Sequence, residues 1–268
     1  MSNYWTDRDN EALERLHRTK AHKIEKQVTK YYQQAAISVI EEFENTYNKL
    51  LTDVASGRAP TPADLYKLDK YWQMQGKLRQ ELQKLGEKEI ALLTKEFENH
   101  FFDVYNRLAI KGLNSFNTID SEGARKLIET IWLADGKSFN QRIWKNTEKL
   151  LDTLNEQLVN TVVTGKKTSD LKKALQERFG VSYKQAKTLV NTELAHVQTV
   201  AAKQRYQDYG LTRYQILGNE DDTCHNEKGK DCHELDRKIF YYSEMQCGVN
   251  APPFHPNCRC AIMPVIDD

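Results

Sequence analysis

From about Asp9 to Val54 an apolar or aromatic side chain returns every three or four positions: Leu13, Leu16, Ile24, Val28, Tyr31, Ala35, Ile40, Phe43, Tyr47, Leu51 and Val54. That period lays one apolar face along a long amphipathic helix, so the opening of the chain has little choice of fold. "SGRAP" breaks the pattern at Gly57 and Pro60. "TPAD" restarts it, with Thr61 as N-cap, Pro62 in the first turn and Asp64 near the positive helix end. A second long pattern follows through Leu65, Leu68, Trp72, Leu78, Leu82 and Leu85. It resumes at Ile90, Leu93, Phe97, Phe101, Val104 and Leu108, with Gly86 as a bend.

Beyond "GLNSFNTID" the expected helices are shorter. Ser138 caps one that runs to about Thr164 and stops at Gly165, and Ser169 caps the next, which closes at Gly180. Ser182 with Gln185 resembles a capping box for a helix ending at Gly210. After Gly210 the period changes. "TRYQIL", "KIFYY" and "CAIMPV" are β-branched or aromatic runs between turn-rich stretches, and they predict strands. The expected fold class is therefore mainly α, with long N-terminal helices followed by a small α+β C-terminal module. Residues 1–115 form the helical N-terminal region and 116–268 the remainder, whose Cys/His-rich module spans 212–268.

Charged residues make up 29% of the 268 and apolar ones 39%, and no apolar run approaches the ~18–20 residues that cross a bilayer. No membrane is expected as a partner. The opening "MSNYWTDRDNEALERLH" lacks the apolar core of a signal peptide, which predicts a protein made and kept in a cytoplasm. The net charge of +1 conceals an asymmetry: residues 137–215 carry 14 Lys/Arg against 7 Asp/Glu, and residues 216–268 carry 5 against 10. A basic middle suits phosphate; a solvated helix surface beside an acidic neighbour accounts for it equally.

All five cysteines (Cys224, Cys232, Cys247, Cys258, Cys260) and three of the seven histidines (His225, His233, His255) fall in the last 45 residues. In "NAPPFHPNCRC" the prolines brace a turn that can aim the His255 imidazole and the Cys258 thiolate at one point. Cys224 and Cys232 flank "HNEKGKD", a loop able to fold them towards each other. Tetrahedral zinc takes four such nitrogen and sulfur ligands, commonly as two close pairs from distant segments. The candidate set is Cys224, Cys232, His255 and Cys258, for a structural zinc; Cys260, two residues beyond Cys258 on the same strand face, is the reserve ligand. Cys-x7-Cys is a loose spacing, so reduced thiols packing a metal-free module, or a disulfide, fit the same residues.

No catalytic set composes itself. There is no phosphate-binding glycine loop, nucleophile elbow or HExxH motif. Asp221, Asp222, His225 and His233 offer acid–base groups of the kind usual in solvated turns. Glu193 and His196, one helical turn apart, suit either a ligand pair or the anchoring of a neighbouring loop.

"YQILGNEDDTC…CHELDRKIF…GVNAPPFHPNCRC" resembles the C-terminal signature of the Mu F-like minor capsid family of phage head-morphogenesis proteins. The matching positions are Asp221, Cys224, Cys232, Leu235, Asp236, Lys238, Phe240, Pro252, Pro253, His255, Pro256, Cys258 and Arg259. "NTELAH" resembles the family's Arg-Thr-Glu helix motif through Thr192 and Glu193, and "NYWTDR" resembles Gram-positive phage and prophage members. Three departures stand out: Asn191 replaces the usual arginine, Arg237 the usual turn glycine, and the first two cysteines are spread apart. The resemblance implies a non-enzymatic minor capsid protein at the portal vertex, in the head interior of the virion and in host cytoplasm during assembly. It implies the portal protein and other capsid components as partners, with weak non-specific DNA contact during packaging or ejection. Self-association through the N-terminal helices is expected from their apolar face. The alternative is a zinc-dependent hydrolase or nuclease, or the carrier module of a Mu F-type toxin; the short run after the motif is expected to leave no room for an effector.

Overall fold

The computed structural model describes residues 2–54, 61–110, 118–133, 135–218 and 232–266. The chain is mainly helical: α1 (Ser2–Val54), α2 (Pro62–Tyr66), α3 (Asp69–Arg107), α4 (Ser121–Ile128), α5 (Phe139–Val163) and α6 (Thr168–Asp208) precede β1 (Arg213–Leu217). A one-turn helix α7 (Cys232–Leu235), β2 (Ile239–Tyr241), a 3-10 turn (Tyr242–Glu244) and β3 (Ala261–Pro264) complete it. Long helices followed by a small α+β module is the class the periodicity predicts. Among the described residues no helix is long and apolar enough to cross a membrane.

Helix ends follow local chemistry. At α2 the expected N-cap Thr61 is in place and forms a capping box, Asp64 Oδ2 accepting from the Thr61 backbone N–H at 2.9 Å. Gly165 (φ +62°) closes α5, with Lys166 N donating to Thr161 O and Gly165 N to Val162 O. Gly210 (φ +75°) closes α6 with the same pair of bonds, from Leu211 N to Tyr206 O and from Gly210 N to Gln207 O. This is the reversal that glycine, lacking a Cβ, makes without strain.

Two expected breaks are absent. α6 runs unbroken through Gly180 and Ser182, where two helices and a capping box were anticipated. Its buried face is continuous there: Leu171, Leu175, Phe179, Ser182, Ala186, Val190 and Leu194 repeat at helical spacing. Burying that row outweighs the ~1 kcal/mol that one interior glycine costs relative to alanine. α3 likewise runs through Gly86. A Cβ there would lie 2.7 Å from Trp144 Cζ3, so Gly86 marks a close approach of an indole to the helix.

The chain divides into two compact units, one of Met1–Glu25, Leu92–Asn140 and Thr188–Asp268, the other of Lys26–Ala91 and Gln141–Lys187. Both draw on either side of residue 115. In the second unit Val28, Val39, Phe43 and Tyr47 of α1 are buried. Polar ties there include Tyr32 Oη to Glu89 Oε2 (3.2 Å) and Tyr71 Oη to Asn155 Oδ1 (2.7 Å). That part of the α1 stripe is thus buried within the chain. In the first unit Leu93, Phe97, Phe101 and Val104 of α3 are fully buried, Phe97 edge-on to Phe139. The sheet is antiparallel in the order β2-β1-β3, and Tyr214 and Ile216 of the central strand are fully buried.

Candidate metal centre

β1 ends at Leu217, and Asp236 returns the chain to it: its Oδ1 accepts from the Gly218 backbone N–H at 2.7 Å. Arg237 N donates to Ile216 O and Ile216 N to Lys238 O, so α7 is carried on the edge of the sheet. This places Cys232, at the head of α7, in the interior. From the other side comes the "PPFHPNCRC" loop, with a cis Pro252–Pro253 bond, Phe254 packed against the cysteines, and Cys258 N donating to His255 O.

The ligand atoms of Cys232, His255 and Cys258 all lie within 4.8 Å of one another, and all three residues are buried. Cys260 joins them as a third buried thiol, with side-chain contacts to both Cys232 and Cys258. Donation from Cys232 and Cys260, with His255 beside them, favours a thiolate at Cys258 and holds its pKa far below the ordinary value. Cys260, the donor in these contacts, is pushed far above it. His255 Nδ1 lies 2.9 Å from Pro256 O. A carbonyl only accepts, so Nδ1 carries the proton and the lone pair is on Nε2, the tautomer of an imidazole ready to ligate.

Of the four ligands expected from sequence, Cys232, His255 and Cys258 come together; Cys224 lies outside the described residues, as do Asp221, Asp222 and His225. Cys247 is not among the clustered thiols. It lines a separate cavity of about 710 Å³ with Trp132, His196, Val200 and Met245, and burial pushes its pKa up to about 12.

The helix motif and the closing loop meet. Thr192 Oγ1 donates to Thr188 O (2.7 Å) and accepts from the Asn257 backbone N–H (3.1 Å). Asn191, where the family's arginine was expected, donates from Nδ2 to Glu25 Oε1 at 2.8 Å, a neutral partner replacing an ion pair. Arg259 reaches Glu14 of α1 at 3.3 Å. Glu193 and His196 are buried and hold the strap before α5: Trp132 Nε1 donates to Glu193 Oε2 (3.1 Å), and the indole stacks on the His196 ring, centroids 4.8 Å apart. Trp132 and Asn257 were not singled out beforehand. Each makes a contact over 60 residues away in sequence, which no local spacing announces.

Among the described residues the long helices are thus followed by a small sheet module with a buried thiol and imidazole cluster at its closing loop. Residues 152–263 match the family model described as "Phage Mu protein F like protein", so over that stretch the chain is similar to Mu F-like phage proteins. An uncharacterized protein of Haemophilus influenzae is 23% identical over 119 residues, covering 44% of this chain and 26% of that protein. The chain thus spans about a quarter of the length of that curated relative. No solved structure matches.

Proposed function

We propose that the protein is a minor capsid protein associated with the portal vertex of a tailed-phage head, acting in prohead assembly without catalysing a reaction. The observation that carries this reading is where the family's motif residues go. Thr192, Glu193, His255, Cys258 and Arg259 fasten α6, the strap, the closing loop and α1 to one another within one unit. Side chains spent on such ties serve a rigid building block better than a reaction. The portal protein is the partner this reading names, and packaged DNA a weak secondary one.

A docking surface requires exposed anchors, which residues 1–115 supply at the start of α3. Trp72 is 58% exposed and Tyr66 45%, held together by Trp72 Nε1 donating to Tyr66 O at 2.8 Å. Exposed aromatics in fixed geometry are the residue type that dominates interface energetics. Because α1 and α3 contribute to both units, the test keeps the full chain. Co-expressed with the portal protein of the same phage, the chain is expected to co-purify, and Trp72→Ala to weaken the complex about tenfold or more. No co-purification, together with absence of the chain from proheads by mass spectrometry, would overturn the proposal.

A further inference from the structure

The geometry points to a closed structural zinc site made by Cys232, His255, Cys258 and Cys260. Three lines meet here, none of which depends on the capsid reading. The first is proximity: the ligand atoms of Cys232, His255 and Cys258 sit within 4.8 Å of one another, and the Cys260 thiol contacts those of Cys232 and Cys258. In a tetrahedral site with bonds of ~2.0–2.3 Å, donors stand about 3.5–3.8 Å apart, so Cys232, His255 and Cys258 need only a small contraction, and Cys260 would join from the same buried cluster.

The second line is chemistry. Three sulfurs and one imidazole nitrogen are the soft-to-borderline donor set that selects zinc over the hard cations. The relative exposures are 0–1% for the three cysteines and 8% for His255. The third line is preorganisation. Pro256 O fixes the proton on Nδ1 of His255, the outer contact that metal-ligating histidines habitually make. Cys258 and Cys260 stand two residues apart, an interval that puts both side chains on one side of an extended chain.

The site joins α7 to the closing loop. Between them lie only the short strand β2 and a turn-rich stretch, too little apolar surface to fix the module alone. Zinc therefore acts as the staple of the sheet module, with four protein ligands and no position left for a reacting water.

The test is metal analysis of the full chain purified under reducing conditions, followed by cobalt substitution. One zinc per chain is expected. The cobalt form should show tetrahedral d–d bands and a sulfur-to-cobalt charge-transfer band with the intensity of three thiolates. Cys260→Ser should lower that intensity by about a third and weaken zinc binding at least tenfold. Cys224→Ser should leave stoichiometry, spectrum and melting unchanged. Stripping the metal with a strong chelator should lower Tm by about 10 °C, the scale of losing several kcal/mol in a chain of this size. The cobalt spectrum of the unaltered chain reads the ligand set even where a variant does not fold. Failure to take up zinc or cobalt would overturn the site. So would a two-thiolate spectrum, zinc loss in Cys224→Ser but not Cys260→Ser, or a two-hydrogen mass deficit marking a disulfide among these cysteines.

Discussion

Two residues of the module hold left-handed backbone without being glycine: Arg237 at φ +61° and Asn257 at φ +59°. The resemblance to Mu F-like proteins implied a glycine at the first, and the structure gives the reason. Arg237 turns the chain from α7 back to the sheet, donating from N to Ile216 O while its own carbonyl accepts from Gln215 Nε2 at 2.9 Å. For a residue with a Cβ this conformation costs roughly 1–2 kcal/mol, and the half-exposed contact with Asp236 at 3.7 Å returns little of it. Arg237→Gly removes the strain and admits some extra freedom to the unfolded chain. The expected net is a gain of about 0.5–1 kcal/mol, measured as a higher midpoint in urea. Asn257 tolerates the same region better, and its position brings its N–H to Thr192. Asn257→Ala should cost about 1 kcal/mol and Asn257→Gly almost nothing, by the same measurement. Equal losses in both would mean that the asparagine side chain itself matters.

Helix interiors carry a second contrast, between two glycines that the sequence presents alike. Gly180 lies within α6 with nothing inside 4 Å of where a Cβ would stand, whereas the Cβ of an alanine at Gly86 would meet the Trp144 ring at 2.7 Å. Gly180→Ala should stabilise by about 0.5–1 kcal/mol through helix propensity, and Gly86→Ala should destabilise by about 1–3 kcal/mol through overpacking. Thermal melts of the two variants decide it; a shift of the same sign in both would show that the packing at Trp144 has been misjudged. The contrast explains what was legible in the helices. Apolar period and caps announced α1, the start at Thr61 and α5, because these are local properties. The change of period after Gly210 announced the three described strands; the break between α2 and α3 at residues 67–68 was not announced. The apparent stop at Gly180 and start at Ser182 were local signals too. They lost to the row of Leu171, Leu175, Phe179, Ala186 and Val190, whose burial is decided by distant partners. For the same reason His255 and Cys258 could be paired from their spacing. That Cys232 and Cys260 are buried together with Cys258 is decided by contacts between distant segments, which spacing does not announce.

Across the whole molecule the charge asymmetry falls along the division into units. The unit of Lys26–Ala91 and Gln141–Lys187 holds 20 Lys/Arg against 14 Asp/Glu, and the other holds 19 against 24. A chain of net charge +1 therefore contains one unit at +6 and one at −5. A uniform solvated surface does not require such a separation, and a unit at +6 is suited to phosphate. Lys166, Lys167, Lys172 and Lys173 are all exposed, around the α5–α6 turn and the first turn of α6. Lys172 is already engaged with Glu44 at 3.5 Å, an ion pair exposed enough to exchange readily for a phosphate. The expected outcome is weak, sequence-independent DNA binding whose affinity falls steeply with salt, since each neutralised phosphate releases a counterion and contributes about −0.9 to the slope of log K against log salt. Replacing Lys166 and Lys167 together by glutamate should flatten that slope by about two contacts' worth, roughly 1.8, while preference among DNA sequences stays unchanged. Fluorescence anisotropy with duplexes of unrelated sequence over a salt series measures both quantities. Binding absent at the lowest salt, or a slope indifferent to the double substitution, would return the basic unit to the role of a solvated surface.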